Sequence, residues 1–297
     1  VTYLSRADGF ANYAEATAAP VSYEMSDELK ASFINNGQLR SQRVQQRRRS
    51  DAHHRQPRTA LQLVDMRGVD YDDAQWDTFL DQLTISDMDT LIALGGYQTA
   101  AVPSIGKVQT YDCDGPASIN NNFTGVGSVG FPSAVMIAST WNQDLANEFG
   151  RSIGKMADEM NTTGWYAPAM NNHRSAFAGR NFEYYSEDGV LSGKMAAKAI
   201  QGAEEFGCLR LHEALRSDDQ EANRCDMLCT WADEQAIREI YLRPFEISAK
   251  VGGCKAVMSS WNYIGNQWAG ACNALLNGVL RGEIPVLYYR SHRLLLR

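Results

Sequence analysis

A chain of 297 residues, 44% of them apolar, can bury a sizeable core as one large α/β domain or as two smaller ones. Its formal charge is −7, but residues 40 to 58, RSQRVQQRRRSDAHHRQPR, hold seven of the 21 arginines, no lysine and one acid, Asp51, leaving the rest at −13. A nucleic-acid binder spreads Lys and Arg over a folded face with aromatics between them, and no apolar run nears the roughly 18 residues of a membrane span, so neither partner is expected.

The N-terminus, VTYLSRADGF, lacks the basic, apolar, small-residue order of a signal peptide, so a cytoplasmic location is expected. A start at Val1 rather than Met predicts a processed or truncated product. The six cysteines are scattered and form no CxxC pair, which predicts reduced thiols rather than disulfides or metal. No cofactor is expected either, since neither standard phosphate-loop spacing occurs.

In chain order, residues 1–75 show no sustained period and read as a lead-in or linker, with the folded body starting near Trp76. TISDMDTLIALGG predicts a helix with Ser86 as N-cap and Gly95 as its stop. GKVQTYDCDGP reads as a strand that brings Asp112 and Asp114 to its C-terminal end. Between Trp141 and Met160, the steps of three and four linking Leu145, Phe149, Ile153, Met156 and Met160 predict one apolar helix face. GWYAPAMNNHR reads as a strand running into a polar loop, and SEDGVLSGKMAAKAIQGAEEFG as a helix capped by Ser186. A further helix is expected from Asp233, interrupted or ended at Pro244, then the strand CKAVMSSWN and the helix NALLNGVLRGE. Strands alternating with helices argue for a parallel sheet, either a barrel or a doubly wound fold. In both, chemistry gathers at the C-terminal strand ends. The clusters DCDGP, NNHRSAFAGRNFEYYSED and SSWNY follow successive candidate strands, although Arg174, Arg180, Glu183, Glu187 and Asp188 also suit a solvated, salt-bridged turn.

GWYAPAMNNHRSAFAGRNFEYYSEDGVLSGKMAAKAIQGA, together with YDCDGP, DQEANR, AIREIYLRPFE and AVMSSWN…LLNGVLRGE, resembles the barrel domain of glycoside hydrolase family 3, β-glucosidases in particular, from about Gly68 to Glu283. The resemblance implies an α/β fold, here a partial (β/α)8 TIM-like barrel over residues 76–297 cut before its final strands. It also implies retaining hydrolysis of terminal, non-reducing β-D-glucosyl residues from a β-glucoside or oligosaccharide. An Asp would attack the anomeric carbon, and a second domain would supply the acid/base carboxyl. Carried over, Asp114 would accept hydrogen bonds from sugar hydroxyls, and Arg174 and Arg180 would donate to the sugar or hold carboxylates. Met258 and Trp261 would line the wall. The competing readings are a turn-stabilising role for Asp114 and core packing for Met258 and Trp261.

Two family elements are missing. A Lys-His-Phe segment is expected before DQEANR, where this chain reads CLRLHEALRSD, and no Asp or Glu follows Glu283 to serve as nucleophile. One mechanism accounts for both. Glu213-Ala214-Leu215-Arg216 can be encoded GAA GCA CTT CGC, which one base later reads Lys-His-Phe. His292 to Leu296 can be encoded CAC CGA CTA CTT CTC, which one base later reads Thr-Asp-Tyr-Phe and places the nucleophile codon across Arg293 and Leu294. Residues 38–56 shifted the same way become an acidic linker without arginine. The expected consequences are an inactive chain, a catalytically dead carbohydrate-binding remnant as the alternative, and a barrel left with an open parallel edge.

Overall fold

The computed structural model describes residues 9–16, 18, 24–32, 61–70, 72–121, 124–207, 209–212, 220–254 and 256–284. Residues 38–56, 208, 213–217 and 285–297 lie outside the described residues, and with them Arg293, Leu294 and the three windows expected to be out of frame, apart from the backbone of 209–212 and Ile284. Contacts divide the chain into two compact units: Ala19–Gly95 with Ala100–Gln109, and Val1–Ala18 with Gly96–Thr99 and Thr110–Arg297.

The smaller unit holds helices α1 (Gln75–Leu80) and α2 (Ile85–Ala93) around a core of Met66, Trp76, Phe79, Leu83, Val102 and Ile105. The Trp76 indole N–H donates to the Asp70 carbonyl at 2.8 Å, so the ring is buried with its polar end satisfied. Met66 is 1% exposed in this core, so the boundary expected at residue 76 falls inside a compact unit. The α2 cap is Thr84, not Ser86. Thr84 is extended, accepts the Asp87 N–H at 3.0 Å and donates its own N–H to the Asp87 carboxylate at 2.9 Å, a reciprocal box that Ser86 cannot make from inside the first turn.

The larger unit is built on a five-stranded sheet: β1 (Gln98–Thr99), β2 (Thr110–Cys113), β3 (Gly164–Trp165), β4 (Leu209–His212) and β5 (Ala256–Val257), in that spatial order. β1 is antiparallel to β2, and β2 to β5 are parallel, with Cys113 opposite Trp165, Trp165 opposite Arg210 and His212 opposite Val257. Among the described residues the sheet is open. Helices α3 (Ala134–Ser139) and α4 (Gln143–Glu159) connect β2 to β3, α5 (Gly189–Glu204) connects β3 to β4, and α6 (Arg243–Gly252) precedes β5. Helix α5 packs between α4 and α6, and the core gathers Phe149, Ile153, Trp165, Met195, Ile200 and Phe245.

On α4, Phe149 and Ile153 are buried as the spacing predicts, but Leu145 is 45% exposed and the contact face is widened by Ala146, Gly150, Gly154 and Ala157. The reason is the closeness of α5: a Cβ on Gly150 would lie 2.0 Å from the Ala199 carbonyl oxygen. The α5 cap is Asp188 rather than Ser186, its Oδ1 accepting from Val190 N–H at 2.7 Å and Leu191 N–H at 2.8 Å, while Ser186 Oγ accepts from Asp188 N–H. The next helix starts at Asp233 as expected, and Asp233 caps it by accepting from Ala236 N–H. That helix becomes a π-turn at Ile237–Tyr241, and Pro244 stands in the first turn of α6, where a missing N–H leaves no bond unmade. NALLNGVLRGE forms a π-helix, Ala274–Glu283, tied back by Arg238, whose two Nη atoms meet Glu283 at 2.6 and 3.0 Å.

Candidate functional site

Because β2 to β5 are parallel, their C-terminal ends share one edge, and the polar clusters of the sequence follow those ends. Asp114 comes directly after β2. Its Oδ1 accepts the Gly115 N–H at 2.9 Å and its Oδ2 accepts the Tyr97 hydroxyl at 3.1 Å, yet the residue remains exposed. The turn role and the acceptor role are therefore compatible: two bonds orient the carboxylate, and lone pairs remain for an incoming hydroxyl. The turn is tied to the neighbouring strand by the Trp165 indole N–H, which donates to the Gly115 carbonyl at 2.7 Å.

Two tyrosines that sequence reasoning passed over complete this corner. Tyr97 and Tyr166 meet edge to face with centroids 5.2 Å apart, and the Tyr166 hydroxyl lies 3.5 Å from Asp112 Oδ2. Burial, reinforced by the charge of Asp114, raises the Tyr97 phenol above its ordinary value. Burial, then the charge of Asp112, raises Tyr166 much further. Both phenols thus stay protonated and act as donors beside two carboxylates. Gly164 leaves room for this: a Cβ there would sit 2.2 Å from Asp112 Oδ1. Neither tyrosine lies in a polar cluster, so no local signal marked them.

After β3, the loop carries Arg174 and Arg180 to the same edge with different surroundings. Arg174 is exposed, donates from Nε to the Tyr241 hydroxyl at 3.2 Å and has its guanidinium 5.8 Å from that ring. Arg180 is drawn inward, its side chain 13% exposed, and pairs through Nε with Glu183, 8% exposed, while lying over the Tyr184 ring at 5.3 Å. Arg180 is thus paired with a carboxylate of its own loop. Asn171 in the same segment is 2% exposed, and neither atom of its amide has a hydrogen-bond partner among the described residues. After β5, Met258 is half-buried and Trp261 is 55% exposed, which rules out core packing for Trp261. Asp114 follows β2, Arg174 and Arg180 lie in the loop after β3, and Met258 and Trp261 follow β5; Asp114, Arg174 and Arg180 each have local partners of their own. A cavity of about 410 Å³ lies elsewhere, lined by Val190, Arg238, Leu242, Arg243, Val279 and Ile284 among others, and none of the five lines it.

Comparison with known proteins places this geometry. Residues 117–285 match the family described as Glycosyl hydrolase family 3 N terminal domain, a stretch that includes Arg174, Arg180, Met258 and Trp261 and begins just after Asp114. Beta-glucosidase A of Butyrivibrio fibrisolvens is 38% identical over 183 residues, 61% of this chain and 22% of that protein. A beta-glucosidase of Rhizobium radiobacter is 34% identical over 211 residues, 70% of this chain and 26% of that protein. Among solved structures, beta-glucosidase 3B from Thermotoga neapolitana in complex with alpha-D-glucose superposes with a TM-score of 0.63 at 34% identity, covering 71% of this chain and 32% of that one. The chain thus spans about a quarter of the length of the curated relatives it matches. With more than half of its residues inside the family match, and its polar clusters at the ends of a parallel sheet, the chain belongs to glycoside hydrolase family 3.

Proposed function

We propose that this chain carries the glucosyl-binding edge of a β-glucosidase-type enzyme, a partial (β/α)8 barrel whose parent protein releases terminal, non-reducing β-D-glucosyl residues with retention. The observation that carries the reading is Asp114: an exposed carboxylate at the end of β2, oriented by the Gly115 N–H and the Tyr97 hydroxyl. In this reading Asp114 accepts hydrogen bonds from the outer hydroxyls of the sugar, with Arg174 as a donor and Arg180 holding Glu183 in place beside it. Met258 and Trp261 form the wall under the ring. The same chemistry needs an attacking carboxylate and an acid/base carboxyl. The first belongs to the shifted frame across Arg293 and Leu294, and the second to another domain of the parent protein.

One sequence observation favours a second reading, a carbohydrate-binding remnant without activity: CLRLHEALRSD stands where the family's Lys-His-Phe segment is expected. A chromogenic aryl β-glucoside and a glucose titration address both. The expected result is no turnover by the 297-residue chain together with glucose binding that Asp114→Ala weakens about tenfold or more, the cost of one charge-assisted hydrogen bond or two. Turnover by this chain alone refutes the missing nucleophile. Glucose binding unaffected by Asp114→Ala refutes the assigned subsite.

A further inference from the structure

Tyr97 stands in a left-handed backbone conformation, with a φ of +55°, directly after Gly96 at +125°. A bulky side chain is rare there, because Cβ crowds the following carbonyl, and such a residue persists only where its surroundings over-determine it. Three contacts do so. The Tyr97 carbonyl accepts the Asp112 N–H at 2.8 Å, the next two residues pair with Tyr111 and Thr110, and the ring meets Tyr166 edge to face at 5.2 Å and 81°. With backbone and ring both fixed, the hydroxyl is delivered to Asp114 Oδ2 at 3.1 Å.

The ties on Asp114 differ in kind. Its backbone is clamped to Asn120, donating at 2.8 Å and accepting at 2.9 Å. Its Oδ1 accepts from Gly115, the next residue, so that bond travels with the turn. Among the described residues, the Tyr97 hydroxyl is the one tie on this side chain that comes from another strand. An exposed carboxylate without such a tie can turn about its side-chain bonds, and ordering it on binding costs affinity. Burial, and then the charge of Asp114, keep the Tyr97 phenol protonated, so it serves this carboxylate as a donor.

We propose that Tyr97 is a positioning residue, whose strained backbone delivers the hydroxyl that fixes the Asp114 carboxylate in the orientation that accepts hydrogen bonds from the terminal glucosyl residue. The proposal rests on the reading of Asp114 as a sugar ligand. It adds to that site a residue from outside the polar clusters, acting through Asp114 and not on the sugar.

Calorimetric titration with glucose of the 297-residue chain, Tyr97→Phe, Asp114→Ala and the double variant tests it. Tyr97→Phe keeps the ring and removes only the hydroxyl. It is expected to weaken glucose binding about threefold to tenfold, the scale of one net hydrogen bond, with the melting temperature of the unmodified chain retained. In the Asp114→Ala background the same change is expected to have no further effect. Tyr97→Asn, which loses the ring but tolerates the left-handed backbone, is expected to bind glucose as weakly as Tyr97→Phe. Glucose should also perturb the near-ultraviolet absorbance of tyrosine in the unmodified chain, a signal that Tyr97→Phe removes. Undiminished affinity in Tyr97→Phe, with Asp114→Ala still weakened, overturns the positioning role while the glucosyl reading stands. Losses that add in the double variant make Tyr97 a direct sugar contact and also overturn it, as does a difference spectrum that survives in Tyr97→Phe. Affinity untouched by Asp114→Ala, or no glucose binding by the unmodified chain, removes the glucosyl reading and this proposal with it.

Discussion

Arg180 and Glu183 sit three residues apart in a loop, and both side chains are largely inside the protein. Removing the guanidinium would leave a nearly buried carboxylate without its charge partner, so Arg180→Ala is expected to cost about 3 kcal/mol in urea unfolding, and Arg180→Lys to recover only part, because an ammonium cannot reproduce the planar contact with the Tyr184 ring. A loss under about 1 kcal/mol contradicts a structural role for the pair. Tyr166 makes a pH prediction. Its phenol is raised above the ordinary value of 10.0 by burial first and by Asp112 second, so the folded form holds the proton that the unfolded form releases. That stabilisation is fully present below pH 10.0 and is lost as the pH climbs from there toward the folded value. Phenolate absorbance should show Tyr166 silent until the protein unfolds in alkali, and Tyr166→Phe should flatten the alkaline fall in stability. A Tyr166 that titrates at the ordinary value in the folded protein removes the argument.

The contact between α4 and α5 rests on glycine. A methyl at Gly150 would meet the Ala199 carbonyl at 2.0 Å and one at Gly202 the Asn147 carbonyl at 2.2 Å, so the helices approach as far as backbone allows. Gly150→Ala should gain about 1 kcal/mol of helix propensity and lose more to overpacking, a net loss of about 1–2 kcal/mol. Gly278→Ala is the control: its Cβ meets nothing within 4 Å, and the change should be neutral or stabilising. Paired denaturation midpoints in which Gly150→Ala is the more stable variant would contradict the close approach. The apolar spacing of α4 identified Phe149 and Ile153, yet it could not show that glycines bear the contact, because a glycine carries no hydropathic signal. Cap positions were displaced for a related reason. Ser86 and Ser186 are good capping residues, but Ser86 lies inside the first turn of its helix and Ser186 stands two residues ahead of the cap position, so Thr84 and Asp188 take it.

At the scale of the molecule, β5 is hydrogen-bonded on its β4 side and forms an edge of the described sheet. The coding sequence offers a test at this scale. Its codons for residues 208–217 and 284–297, read one base later, should give Lys-His-Phe and Thr-Asp-Tyr-Phe, and those for residues 38–56 an acidic stretch without arginine. Any other codons end the frameshift account.

The family, the alternation of strands and helices and the order in which Asp114, Arg174, Arg180, Met258 and Trp261 follow the strands were legible in the sequence alone, because long motifs and hydrophobic period are local properties of the chain. Only the tertiary structure decided that Arg180 holds Glu183 while Arg174 reaches Tyr241, and that Tyr97 and Tyr166 stand beside Asp114 and Asp112. Each of these joins residues through space, and composition and spacing do not encode which distant partner a side chain meets.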